Sequence, residues 1–228
     1  MARKHRPTFT VHDATRHDTA DFLSLLAPAD PGNPAPYDYA RHVLASRPGG
    51  PLTHGRYLCL IARTTDGNPI GALAAGPPRW FFEHDATRHD ENLVDVLVAR
   101  FCAIGGVAVH PGHRGSGIGT TLIRHAERRC ARAGYGVLGM DHTPPLEPYF
   151  AGLGYTAGPA VILNLPDPLP LFAQQVGDSL ISTKPLERRV RLQSVPGLPA
   201  PVICGLLPRT HLRPGTFFLA GRLCEPAG

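Results

Sequence analysis

The chain has 228 residues, enough for one domain or one domain with an appendage, and its 43% hydrophobic content supports a real core. No apolar run approaches the roughly 18 residues a membrane span requires, which excludes a membrane-spanning helix. The net charge is +5, with arginine in all but two of 23 basic positions, a balance suited to a phosphorylated ligand, an acidic protein partner or nucleic acid.

In chain order, the basic start MARKHRPTFTVHD has no apolar stretch behind it, so a cytoplasmic protein without a signal peptide is expected. Residues 8–14 alternate like a strand. A helix carrying Phe22, Leu23 and Leu26 on one face follows. A Pro/Gly loop at 29–38 leads to a short helix ending at Ser46. Two apolar runs, 56–64 and 69–76, flank Asp66-Gly-Asn68 and read as a β-hairpin. Leu93, Leu97 and Phe101 recur at helical spacing over 91–101. Residues 102–109 form a buried strand with an internal Gly105-Gly106 pair. The spacing predicts a helix over 116–134, stopped by Gly134 and basic in its last turns. A strand over 135–142, a short helix over 145–154 and a strand over 159–165 complete the regular part. From 166 onward the texture becomes Pro-rich, with strands expected within 188–194, 201–207 and 216–223. The expected division is therefore a domain over 8–166 and a β-containing extension over 167–228, packed on that core.

The heptapeptide His-Asp-Ala-Thr-Arg-His-Asp occurs twice, at 12–18 and 84–90. Its two histidines lie about 140° apart on a helix, and on opposite faces of a strand, so one copy does not converge on a metal. Thr15-x-x-Asp18 and Thr87-x-x-Asp90 instead match a helix-capping box, and no metal site is expected. Five scattered cysteines without a CxxC pair argue against a zinc site or a disulfide framework. The absence of a dense Lys/Arg run or an RNA-binding aromatic signature argues against nucleic acid.

The segment His110-Pro-Gly-His-Arg-Gly-Ser-Gly-Ile-Gly-Thr120 carries the chemistry. It lacks the Lys of a phosphate-binding P-loop. Thr120 replaces the last Gly of a dinucleotide fingerprint, and Arg114 and Ile118 replace the glycines of a nucleophile elbow. A Gly-rich turn opening a helix still suits an anion, because the first N–H groups of a helix lack partners and glycine admits close approach.

Arg114-Gly-Ser-Gly-Ile-Gly119, after a strand ending Val-Ala-Val-His-Pro and before an amphipathic helix, resembles the acyl-CoA-binding motif of the GNAT N-acetyltransferase superfamily. Tyr149 to Tyr155, YFAGLGY, resembles that family's later short helix and its ending. The resemblance covers residues 8–166. It implies a mixed α/β fold, with a central, largely antiparallel sheet flanked by helices, here with a C-terminal β-rich extension. It implies acetyl-CoA or another acyl-CoA as donor. The pantetheine arm would pair with the backbone of Val107, Ala108 and Val109. The pyrophosphate would lie against Arg114, Gly115, Ser116, Gly117, Ile118, Gly119 and Thr120.

The resemblance is weaker where chemistry is concerned. Family members often carry a carboxylate base where this chain has Gly105-Gly106, and a tyrosine where it has Phe150; Tyr149 stands next to it. His142 and Tyr149 are the catalytic candidates, with Asp141, Glu83, His84 and Asp85 as further polar residues near expected strand ends. Trp80, Phe81 and Phe82 line an acceptor cleft or belong to the core. The expected activity is acyl transfer from a pantetheine thioester to a small-molecule amine, by direct attack of the amine. A second possible donor is acyl-phosphopantetheine on an acidic acyl carrier protein, met by Arg124, Arg128, Arg129 and Arg132 or by Arg188, Arg189 and Arg191. A non-catalytic acyl-CoA-binding regulatory module and a protein- or aminoacyl-tRNA-linked acyltransferase are also compatible with these residues. The oligomeric state stays open, with a homodimer among the options.

Overall fold

In chain order the helices are α1 (Thr19–Leu26), α2 (Ala35–Ser46), α3 (Trp80–Glu83), α4 (Glu91–Arg100), α5 (Ile118–Arg132) and α6 (Glu147–Gly152). The strands are β1 (Phe9–Asp13), β2 (Leu58–Thr64), β3 (Pro69–Gly76), β4 (Phe101–Val109), β5 (Val137–His142), β6 (Thr156–Gly158), β7 (Ala160–Leu163), β8 (Leu171–Gln174), β9 (Leu180–Pro185), β10 (Arg191–Gln193), β11 (Val202–Cys204), β12 (Phe217–Leu219) and β13 (Arg222–Cys224). This is a computed structural model, and it describes residues 8–28, 35–46, 57–85, 87–166, 170–174 and 177–226. Most of the expected loop at 29–38 lies outside the described residues. The main sheet runs β1-β2-β3-β4-β5-β9-β6, a second runs β10-β11-β7-β8, and β12-β13 is a separate ribbon. The class is the expected mixed α/β fold. The chain divides into Met1–Gly76 with Ile104–Ala133, and Pro77–Ala103 with Gly134–Gly228. Among the described residues no helix is long and apolar enough to cross a membrane.

In the first unit, β2 and β3 are buried almost throughout rather than in alternation. Sheets read this way when both faces are covered. The register shows how: Cys59 lies opposite Ala74 and Ile61 opposite Ala72, so these four share one face. There they pack with Phe22 and Leu26 of α1 and Ala40 and Leu44 of α2. On the other face, α5 turns Ile118, Leu122, Ala126 and Cys130 inward at helical spacing. Gly71 permits its close approach. A Cβ there would stand 2.8 Å from Ile118 Cγ2 and 3.1 Å from Leu122 Cδ1.

The two heptapeptides fold differently. In the first, Thr15 forms the expected capping box: its Oγ1 accepts from the His17 N–H at 3.3 Å, and Asp18 Oδ2 accepts from the Thr15 N–H at 2.8 Å. Asp18 and Asp21 both accept from Arg63 at 2.6 Å, and Asp13 accepts from Arg129 at 2.6 Å. Burial pushes the Asp18 carboxyl up, but hydrogen bonds from Thr15 and Arg63 outweigh it and leave its pKa lowered. In the second copy Thr87 is not the cap. Helix α4 starts at Glu91, so Asp90 abuts it and accepts from the Leu93 N–H at 2.9 Å. Thr87 is fully buried and donates to the His84 carbonyl at 3.1 Å.

In the second unit, β9 comes from the segment read as the extension, yet it lies in the main sheet between β5 and β6, antiparallel to both. Strand β7 pairs in parallel with β11 and antiparallel with β8. The expected strand over 216–223 is a hairpin, because Ala220 and Gly221 take positive φ values of 49° and 84° and turn the chain. Phe81, Leu97, Phe101, Val137, Val161, Leu163, Ile203 and Leu206 share one core. Arg100 crosses this unit, donating to Glu187 at 2.9 and 2.8 Å, to the Leu206 carbonyl at 3.3 Å and to the Gly134 carbonyl.

Candidate functional site

The candidate donor loop lies wholly in the first unit. Strand β4 ends at Val109, and the His110 N–H donates to the Ile70 carbonyl at 3.0 Å, holding the strand end against β3. A single helical turn, Pro111–His113, follows. Gly115 and Gly117 then take φ values of +75° and +86°, in the left-handed region where a side chain is strained. Gly117 is the N-cap of α5 and supplies no side-chain cap to the first turn. The Thr121 N–H closes a helical bond to the Gly117 carbonyl at 3.0 Å. An uncapped first turn at the positive end of a fifteen-residue helix can hold an anion.

Three side chains hold the loop in shape. Arg114 Nε donates to the Val109 carbonyl at 3.3 Å, tying the loop back to the strand end. Ser116 Oγ donates to the His113 carbonyl. That hydroxyl proton is spent inside the loop, so Ser116 offers an anion its backbone rather than its side chain. His110 Nδ1 accepts from the Gly112 N–H at 3.3 Å and closes the turn.

Upstream, Gly105 is exposed and Gly106 through Val109 are half-buried. A Cβ at Gly106 would only touch Leu26 Cδ2, at 3.4 Å. The chain thus offers backbone but no proton acceptor at these two positions.

His142 and Tyr149 belong to the second unit, where Phe150 brings them together. His142 is buried at the end of β5. Its Nδ1 lies 2.9 Å from the Thr143 carbonyl and its Nε2 lies 2.7 Å from Ser182 Oγ. Its ring packs 4.6 Å from that of Phe150, which lies 5.0 Å from that of Tyr149. Phe150 is buried and Tyr149 is 40% exposed, as expected for neighbours on a helix. Asp141 is exposed. Trp80 and Phe81 belong to the core, packed edge-on with each other and with Phe101, whereas Phe82 is exposed. Glu83 is exposed and pairs with Arg79. His84 is half-buried, and Asp85 pairs with Arg88 at the surface. Ser182 had no signal in the sequence. It lies in a stretch without motif, and only the pairing of β9 with β5 carries it to His142.

The arginines divide by partner. Arg124, Arg128 and Arg132 form an exposed stripe at i, i+4 and i+8 on α5, whereas Arg129 is partly buried against Asp13. Burial, then the charges of Arg128 and Arg129, lower the pKa of His125 below the usual histidine value. Arg188, Arg189 and Arg191 are exposed, with Arg189 held by Glu187 at 2.7 Å. Among the described residues no three His, Cys, Asp or Glu side chains are grouped to hold a metal ion.

The model of the acetyltransferase (GNAT) family matches residues 20–155, more than half of the chain. Among solved structures, yncA from Salmonella typhimurium, with its cofactor acetyl-CoA, superposes with a TM-score of 0.54 at 16% identity, over 82% of this chain and 99% of its own. A GNAT superfamily phosphinothricin acetyltransferase from Sinorhizobium meliloti, in complex with acetyl-CoA, gives 0.52 at 16% identity, over 78% and 88%. An acetyltransferase of the GNAT family from Staphylococcus aureus Mu50 gives 0.51 at 11%, over 79% and 100%. At these identities the likeness is one of fold. No curated protein sequence matches the chain significantly.

Proposed function

Because the chain belongs to the acetyltransferase (GNAT) family, we propose that it moves an acyl group from acyl-CoA to an amine of a small molecule, by direct attack on the thioester. The observation that carries this is the loop. Gly115 and Gly117 turn at positive φ into the uncapped first turn of α5, while Arg114 braces the loop from behind. This cradle fits a diphosphate, held by the backbone from Gly115 to Thr120, with the backbone of Val107, Ala108 and Val109 left for the pantetheine amides. Both structures cited above with acetyl-CoA share the fold, which supports the same donor here.

In the transfer, the amine nitrogen forms a bond to the thioester carbon, the C–S bond breaks, and the thiolate takes a proton. Gly105-Gly106 offers no carboxylate, so the amine enters unprotonated or loses its proton to water. Holding the two reactants together then supplies much of the rate. Tyr149 is the candidate acid that the sequence offers for the thiolate. His142, with both ring nitrogens engaged, suits positioning better than proton abstraction.

Acetyl-CoA is expected to raise the melting temperature of the protein, and Gly117→Trp to abolish the shift. An unchanged shift in the variant places the ligand elsewhere. Turnover with a panel of primary amines tests catalysis; none with any amine leaves a non-catalytic acyl-CoA-binding module. The stripe Arg124, Arg128 and Arg132 favours a second reading, in which an acidic acyl carrier protein delivers the same thioester. Equal or better use of acyl-CoA over acyl-carrier protein overturns it.

A further inference from the structure

We infer that the acceptor is a weakly basic amine, with a pKa near the working pH, like the α-amino group of an amino-acid amide or ester, in preference to an alkylamine. The inference rests on the acyltransferase reading above. In that reading the diphosphate lies at Gly115 to Thr120, and the pantetheine arm runs back along Val109, Ala108 and Val107. The acyl group then comes beside Gly106 and Gly105, within the first unit. Gly105 is exposed, and a Cβ at Gly106 would meet only Leu26 Cδ2, at 3.4 Å.

Two features of this place bear on the charge of the incoming nitrogen. The neighbouring wall is apolar. Leu26 is fully buried, and Leu23, Leu25 and Ala108 pack partly buried against the same core. An ammonium brought against such a wall loses water and gains no partner, which favours the uncharged amine. The described carboxylate side chains of this unit have other places. Asp13 is paired with Arg129, and Asp18 and Asp21 are paired with Arg63. Asp66 is exposed in the turn between β2 and β3, and Glu127 lies about two and a half turns into α5.

The proton balance decides which amine reacts. The nitrogen lone pair forms the bond to the thioester carbon, and the C–S bond breaks. An amine that arrives uncharged loses one proton, and the thiolate gains one. An alkylamine must first give a further proton to water. With a pKa of about 10.4, about one alkylamine molecule in a thousand is uncharged near pH 7.4, against about one in four for an α-amino group with a pKa of about 7.9. Nucleophilicity falls with basicity, but for thiols only as about its 0.4–0.5 power. Applied to amines, that slope costs the weaker base about 10- to 20-fold, against a gain of about 250-fold in the reactive form. The weaker base therefore wins by about tenfold. A proton acceptor reaching the nitrogen from elsewhere in the chain removes this advantage, because every amine is then discharged alike.

The test uses the full-length protein, acetyl-CoA and the primary-amine panel, extended by glycinamide, ethylamine and the mono-, di- and trifluoro derivatives of ethylamine. The fluoro series keeps nearly one shape while its basicity falls stepwise. At about pH 7.4, kcat/KM for the amine is expected to peak at the derivative whose pKa lies nearest that pH, about tenfold above ethylamine, and glycinamide is expected to outpace ethylamine. For each amine, kcat/KM is expected to rise with pH up to that amine's own pKa and then level off. Gly106→Glu supplies a carboxylate where a Cβ meets only Leu26, and is expected to raise the ethylamine-to-trifluoroethylamine ratio by about tenfold or more. The neutral Gly106→Gln is expected to leave that ratio unchanged. An alkylamine as the fastest acceptor of the panel, or a break common to all the pH profiles, overturns the inference and leaves the acyltransferase reading in place. An unchanged ratio in Gly106→Glu does the same, because it puts the transfer away from this position. If no amine of the panel is acylated, the acyltransferase reading falls, and the inference falls with it.

Discussion

Arg114 is the residue whose role the structure sharpens most. An arginine in a phosphate-binding loop invites assignment as a phosphate ligand. Its Nε instead donates to the Val109 carbonyl, at the end of the strand the loop leaves. It therefore braces the loop, and the diphosphate proposed above is assigned to the backbone N–H groups. Arg114→Ala is expected to weaken acetyl-CoA binding about tenfold, the scale of a lost charged hydrogen bond. Titrations at two salt concentrations check this. A brace leaves the salt dependence of binding nearly unchanged, whereas a direct phosphate contact lowers it. Ser116 follows the same logic, because its proton already goes to His113.

At the scale of elements, the placing of α5 decides where the proposed anion-binding end sits. The helix lies close over β3 because residue 71 has no side chain. Gly71→Ala would put a methyl 2.8 Å from Ile118 Cγ2, 3.1 Å from Leu122 Cδ1 and 3.2 Å from the Ala108 carbonyl. It is expected to cost about 1–3 kcal/mol, as overpacking does, and to weaken acetyl-CoA binding as the first turn of α5 is displaced. Thermal unfolding and a binding titration measure the two effects. Helix α4 offers a contrasting case. Asp90→Ala removes its cap and is expected to cost about 1 kcal/mol, read by thermal unfolding, with acetyl-CoA affinity unchanged. Of the identical heptapeptides, the first was readable as a capping box and the second only in part. The pattern Thr-x-x-Asp marks a helix start, but the residue that caps is the one adjoining the first helical turn. That depends on how many residues the preceding turn consumes.

At the scale of the molecule, Arg100 and Glu187 show how the second unit is tied together across 87 positions. Hydrogen bonds from Arg100 first, then from Arg189, hold the Glu187 carboxyl down from 4.5 to about 2 despite partial burial. A carboxylate depressed in the folded state contributes stability that is complete above its unfolded value and is lost as pH falls through its folded value. This pair is therefore expected to support the fold fully above about pH 4.5 and progressively less as pH approaches 2. Glu187→Gln is expected to lower the melting temperature at pH 7, with the gap to the unmodified protein closing over that acid range. Melting curves across pH 2 to 7 check the sign.

What the sequence determined by itself is whatever eleven contiguous residues can encode. The candidate donor loop is local: glycines where φ must be positive, a helix start, and an apolar strand before it. The same holds for the periodic helices, whose buried faces follow from spacing, and for the first hairpin, whose two apolar runs flank a turn. What only the tertiary structure decided depends on partners distant along the chain. Strand β9 crosses from the Pro-rich segment into the main sheet, Asp13 meets Arg129 at a separation of 116, and Ser182 reaches His142 at a separation of 40. A serine or an arginine carries no mark of which distant acceptor it will meet. That choice is made when apolar faces pack and each buried polar group must take the partner that packing leaves beside it.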